Sequence, residues 1–305
     1  MTTTPPSGQQ FEISHGEQRA TVVEVGAGIR AYAVAGRPVL EDYPLDAICD
    51  GAHGAVLIPW PNRLADGRYR FEESDHQLPL SEPERGNAIH GLLRWRNWSA
   101  LERTAERVVM GIRLHPLPGY PFTLEVQIAY ELGDDGLVVS TSATNAGERP
   151  CPYGAGQHPY LSPGSGSIDD CVLRLPASTR ILADAERQLP TGTEPVAGTP
   201  LDFRDGRRLE GLRVDAAFTD LSREDSGRAV SRLACADGAT VELWVDESYA
   251  VIELFTGDTL SPSRRRRGVA LEPMTCWPNA FQNQHGLARL QPGESLSGRW
   301  GARLA

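Results

Sequence analysis

Two segments more than a hundred residues apart each hold one titratable side chain between residues that restrict the backbone. The first is Gly154-Ala155-Gly156-Gln157-His158-Pro159-Tyr160-Leu161. The second is Ala270-Leu271-Glu272-Pro273-Met274-Thr275-Cys276-Trp277-Pro278-Asn279-Ala280-Phe281. A proline directly follows each titratable residue and fixes the chain there. A His and a Glu held this way suit an acid and a base on opposite sides of one small substrate.

Two earlier segments add polar side chains. Leu57-Ile58-Pro59-Trp60-Pro61 leads into Asn62 and Arg63, whose amide and guanidinium suit vicinal hydroxyls. Gly86-Asn87-Ala88-Ile89-His90-Gly91-Leu92 sets His90 between small residues, with Trp95 and Trp98 following. Aromatic faces beside polar donors grip the apolar face and hydroxyl rim of a sugar. Taken singly, His90 also fits a structural histidine and Arg63 a surface ion-pair partner.

Other chemistries lack their residues. All 30 basic side chains are Arg, and without Lys neither a Schiff base nor a Gly-Lys-Ser/Thr phosphate loop can form. Gly26-Ala27-Gly28 lacks a third glycine and runs into a strand pattern, which fits a turn rather than a dinucleotide site. The seven histidines, at 15, 53, 76, 90, 115, 158 and 285, form no His-x-His or His-Glu-x-x-His pair, so no metal is expected. Gly-x-Ser-x-Gly is absent. Glycoside hydrolysis needs two carboxylates across the bond, and only Glu272 has a constrained setting, which leaves a hydrolase as the second choice. Arg264-Arg265-Arg266-Arg267 fits a solvated loop, or more sharply an anion subsite near Glu272.

The elements that must carry these residues are strands. The chain has 31 Gly and 23 Pro, with short alternating runs between them and no helix of three turns. Val126, Ile128, Tyr130 and Leu132 alternate; Gly133-Asp134-Asp135-Gly136 then turns the chain, and Leu137, Val139 and Thr141 return. Such a pattern predicts an all-β antiparallel sandwich or barrel, as one domain over residues 11–305 behind a disordered tail at 1–10. Five scattered cysteines without Cys-x-x-Cys spacing fit reduced thiols. With no signal-peptide pattern at the start, the cytoplasm is the expected compartment. A net charge of -10 argues against nucleic acid and anionic membranes and favours a neutral small molecule. A monomer or homodimer is expected.

Together these segments resemble the aldose 1-epimerase (mutarotase) family, and a bacterial subgroup that often accompanies sugar-catabolic genes. Pro61-Asn62-Arg63, Asn87 to Gly91, Gln157-His158-Pro159-Tyr160, Val214-Asp215-Ala216-Ala217-Phe218 and Leu271-Glu272-Pro273 through Ala280 follow the family order along nearly the whole chain. The resemblance implies a large antiparallel β super-sandwich of the galactose mutarotase type. It makes Glu272 the base at the anomeric hydroxyl and His158 the acid at the ring oxygen, with Asn62, Arg63, His90 and Asp215 holding the sugar. No metal or organic cofactor is implied. Near neutral pH an ionised Glu272 and a protonated His158 are expected. Asn279 stands where the family usually has Asp, and is expected to support the Glu272 loop. The implied activity is mutarotation of a free aldose. The alternatives are an anionic (phosphorylated or sulfonated) sugar bound with the help of the Arg264 run, or non-catalytic sugar binding.

Overall fold

Alternation along the chain becomes paired strands. In the computed structural model, which describes residues 4–305, Leu124–Gly133 and Gly136–Asn145 pair antiparallel from end to end. Val126, Ile128 and Tyr130 are buried and the residues between them are not. Gly133 pairs with Gly136 across the Asp134-Asp135 turn. Gly136 sits at φ 90, and a Cβ there would fall 2.6 Å from the Ala302 carbonyl, so the position requires glycine.

Two large antiparallel sheets, of twelve and nine strands, enclose the main core, as the super-sandwich expectation requires. Among the described residues the α-helix is a single turn, Ala280–Asn283. Residues 1–3 of the expected tail lie outside the described range, and residues 4–10 are held in place. Ser7 is buried, its carbonyl accepts from Val25 N at 3.0 Å, and Gln10 pairs with Val23.

One face of the larger sheet matters for chemistry. In Val269–Met274, Val269 and Leu271 point into the main core, so Glu272 and Met274 point the other way. In Val251–Phe255 the same alternation sends Ile252 and Leu254 inward and Glu253 outward. Asp215–Leu221 repeats it, with Phe218 inward and Asp215 and Ala217 on the outer side. Register then sets Glu253 opposite Glu272, and Asp215 opposite Phe255. The small two-stranded sheets Arg63–Ala65 with Asn87–Ile89 and Arg68–Phe71 with Ser74–Gln77 belong to the excursion that brings Asn62, Arg63 and His90 to this face.

Candidate active site

A two-residue strand places the histidine. Gly156 pairs with both Leu57 and Met274, so Gly156–Gln157 is wedged between the Asn62 segment and the Glu272 strand. A Cβ on Gly156 would lie 2.8 Å from the Pro273 carbonyl and 2.9 Å from Pro61 Cβ. His158 is pinned at both ends, its N–H donating to Ala55 O at 3.0 Å and its carbonyl accepting from Gly54 N at 2.9 Å. Its ring stacks on Tyr160 at 4.9 Å, and Tyr160 stacks on His53 at 3.8 Å. On the facing segment Asn62 and His90 both adopt positive φ, 54 and 63, and His90 N donates to Asn62 O at 3.0 Å.

All six candidates, Asn62, Arg63, His90, His158, Asp215 and Glu272, line one cavity of about 510 Å³. At its floor His158 Nε2 lies 3.1 Å from Glu272 Oε1, both side chains being buried. The His90 ring meets His158 edge-on at 5.6 Å. Three buried polar atoms here have no hydrogen-bond partner among the described residues: His90 Nδ1, His158 Nδ1 and Glu272 Oε2. Buried polar atoms are almost always paired, so a cluster of unpaired ones around a cavity is what a polar ligand would satisfy.

Burial dominates the electrostatics. It drives His158 down to about 3, with the nearby His53 and Arg94 adding to the effect. His90 is held well below 6.5 by burial and then by His158. Glu272 goes the other way, well above 4.5, through burial and then Asp215, with Arg63 opposing. The expected charged pair is therefore corrected: desolvation favours the neutral form of each group. Transfer of one proton from Glu272 to His158 would convert the neutral pair into Glu272 carboxylate and His158 imidazolium, and the two atoms lie 3.1 Å apart.

The aldose 1-epimerase family model matches residues 9–302. The chain belongs to that family. It is 36% identical over 301 residues to YihR of Escherichia coli strain K12, an uncharacterised protein, covering 94% of this chain and 91% of that one. It is 26% identical over 271 residues to the galactose mutarotase of Rattus norvegicus, covering 80% and 76%. The crystal structure of a GalM/aldose epimerase homologue from C. elegans superposes with a TM-score of 0.86 at 19% identity, covering 97% and 98%. That likeness shows a shared fold.

Within this aldose 1-epimerase fold several side chains act differently from their sequence reading. Arg63 donates three hydrogen bonds to Glu82, at 2.9 to 3.2 Å, which orients it at the cavity edge. Asn62 Nδ2 donates to Glu253 at 3.3 Å, and its Oδ1 accepts from Arg63 N, so its role here is partly structural. Asn279 accepts from Ala65 N at 3.1 Å and thus braces the Arg63 strand, not the Glu272 strand. The Arg264 run does not line the cavity, nor is it simply solvated. Arg264 lies 3.6 Å and Arg267 3.7 Å from the buried Glu41, while Arg266 binds Asp169 at 2.6 Å and Asp258 at 3.2 Å.

Two residues the sequence did not single out stand in the site. Glu253 is buried, and burial together with Asp215 and Glu272 holds it well above 4.5, which favours its protonated form beside the pair. Its signal was an acid inside the otherwise apolar run Val251-Ile252-Glu253-Leu254-Phe255. Arg94 lines the cavity beside Trp95, and burial lowers its pKa with no hydrogen bond or ion pair among the described residues offsetting it. The metal question also changes with the fold. His90, His158 and Glu272 offer ligand atoms all within 4.8 Å of one another, a grouping that no sequence spacing announces.

Proposed function

We propose that this protein interconverts the α and β anomers of an aldose, with Glu272 and His158 as the acid–base pair and no cofactor. Glu272 takes the proton from the anomeric hydroxyl. The C1–O5 bond breaks with its electrons passing to O5, which takes a proton from His158. Rotation about C1–C2 and closure with the roles reversed give the other anomer. That closure leaves Glu272 as the carboxylate and His158 as the imidazolium, so the enzyme ends as it began. The observation that carries this reading is the 3.1 Å contact between the two side chains, with unpaired atoms of His90, His158 and Glu272 beside it on one cavity. A sugar edge presenting O1 and O5 would replace that contact with one bond to each group. Arg63, Asp215, Asn62 and His90 would hold the remaining hydroxyls. The five unpaired cysteines favour a cytoplasmic setting. Among the described residues no helix is long and apolar enough to cross a membrane.

The test is NMR exchange between anomers over a panel of free aldoses. Acceleration over buffer for at least one neutral sugar supports the reading. Saturable binding without acceleration for any sugar would leave a binding protein in its place.

One observation favours a second reading, an anionic sugar. Arg94 stands at the cavity wall 5.3 Å from the Trp95 ring with no ion pair among the described residues, and a phosphate or sulfonate would give it an anionic partner. Under this reading Arg94→Met raises KM for an anionic sugar by roughly tenfold to a hundredfold, the worth of one charge-assisted bond, and leaves neutral sugars unaffected. Equal effects on both classes would discard it.

A further inference from the structure

Away from the cleft, two cysteines 64 positions apart are brought face to face. Val172–Arg174 and Ala229–Ala234 are adjacent antiparallel strands, with Val172 opposite Ala234 and Leu173 opposite Leu233. One step outward in that register, Cys171 faces Cys235. Side-chain alternation puts both on the inner face, since Leu173 and Leu233 are buried while Val172 and Ala234 are exposed.

Backbone bonding favours a close approach. Cys171 N donates to Ile168 O at 3.0 Å and its carbonyl accepts from Leu209 N at 3.0 Å. Cys235 N donates to Ala239 O at 2.8 Å and its carbonyl accepts from Gly238 N at 3.1 Å. Neither residue bonds the other through its backbone. Facing residues of that kind on antiparallel strands have Cα atoms about 4.5 Å apart, with side chains directed together. A disulfide spans about 4.4–6.8 Å between Cα atoms.

The Cys235 thiol reaches the Leu233 carbonyl at 3.5 Å and the Ser162 carbonyl at 3.8 Å, and the Cys171 thiol and the Arg37 guanidinium are its electrostatic neighbours. Arg37 is itself fixed by Asp237, at 2.8 and 3.2 Å.

We propose that Cys235 and Cys171 form a hydroperoxide-responsive dithiol that closes to a cross-strand disulfide. The Cys235 thiolate attacks the distal oxygen of a hydroperoxide. The O–O bond breaks, the leaving alkoxide or hydroxide takes a proton, and Cys235 becomes a sulfenic acid. The Cys171 sulfur then displaces that hydroxyl as water, forming the S–S bond and giving up its own proton. Both sulfurs are oxidised by one electron each, and the peroxide is reduced by two.

The assignment of roles follows from the surroundings. The Cys171 thiol and Arg37 lower the Cys235 pKa against its burial, which favours its thiolate over those of the other cysteines. Cys171 moves upward through its neighbour Cys235 and its burial, which assigns it the role of resolving thiol. Cys49, Cys151 and Cys276 are pushed up to about 12 by burial, which makes them poor competitors. Cys235 also keeps 9% of its surface exposed, while Cys151, Cys171 and Cys276 keep none.

The experiment treats the full-length native protein with a small excess of hydrogen peroxide and maps the peptides without reduction. The expected result is one species lacking two hydrogens, with the Cys171 and Cys235 peptides linked and released by dithiothreitol. In Cys171→Ser, dimedone should trap the sulfenic acid on Cys235. If that variant fails to fold, iodoacetamide labelling of the native chain at neutral pH decides instead. Cys235 should react about tenfold or more faster than Cys49, and Arg37→Gln should cut its rate severalfold. A disulfide involving another cysteine, no link at all, or faster labelling of Cys49 would overturn the proposal.

Discussion

Under the proposed mechanism, replacing Glu272 by Gln keeps the volume of the side chain and removes its ability to take the anomeric proton. Replacing His158 by Asn keeps a polar group and removes the proton donor. A positioned acid or base contributes about 10²–10⁴-fold, which is about 2.7–5.5 kcal/mol of barrier at 1.36 kcal/mol per tenfold. The structure adds a condition on how the two losses combine. His158 Nε2 and Glu272 Oε1 are 3.1 Å apart, and in the proposed mechanism the charged form of each depends on the other, so each group works only while the other is present. Glu272→Gln and His158→Asn should therefore each lower kcat by about 10²–10⁴, and the double variant should fall within about tenfold of the worse single one. Sugar affinity, measured by calorimetry on the inactive variants, should change by less than about tenfold because the hydroxyl-binding groups remain. The assay is the relaxation of a freshly dissolved pure anomer, followed by polarimetry or NMR exchange. If the two losses multiplied, to about 10⁴–10⁸, the groups would be acting independently and the mutual-dependence reasoning would be wrong. A Glu272→Gln enzyme keeping more than a tenth of the wild-type rate would remove Glu272 from the chemistry altogether.

The buried titratable groups also predict the pH dependence of stability. His53, His90 and His158 are held below 6.5, reaching about 4 for His53 and about 3 for His158, so the unfolded chain binds more protons than the folded one below pH 6.5 and stability is lost as pH falls. Glu41, Glu253 and Glu272 are held above 4.5, reaching about 7 for Glu41, so the unfolded chain binds fewer protons above pH 4.5 and stability is lost as pH rises. The two sets oppose each other between 4.5 and 6.5, so urea denaturation should show a plateau there and a fall on each side. A steady rise from pH 5 to pH 8 would contradict this account. Glu82→Ala frees the Arg63 guanidinium from its three hydrogen bonds and should raise KM about tenfold with a smaller effect on kcat, read from substrate titrations. Chelation with EDTA should leave the rate unchanged. Added Zn²⁺ should inhibit competitively with sugar through His90, His158 and Glu272, in steady-state kinetics at varied sugar. Gly91→Ala should cost more than about 3 kcal/mol in chemical denaturation or prevent folding, because Gly91 has φ 70 and a Cβ would sit 2.1 Å from the Ile58 carbonyl.

The sheet architecture was legible because each strand carries its own evidence, in alternation and turn residues such as Gly133-Asp134-Asp135-Gly136. The site was legible only where a local anomaly marked a residue. His158 and Glu272 are each followed by proline, and Asn62 and His90 sit in short segments rich in Pro or Gly, both at positive φ. Arg94 has no such mark: flanked by Leu93 and Trp95, it matters only because the fold brings it to the same cavity as Asn62, Arg63 and His90. The Arg264 run was misleading for the converse reason. Its pattern was local and strong, and its partners Glu41, Asp50, Asp169 and Asp258 are set by long-range packing. Charge state was the least legible property. Ordinary pKa values gave an ionised Glu272 and a protonated His158. The desolvation that reverses both directions arises only when the excursion closes on the sheet and buries the pair. The same burial sets a condition on the proposed catalysis: desolvation favours the neutral form of both groups, so a sugar bonded to each must favour the Glu272 carboxylate and the His158 imidazolium before the ring can open.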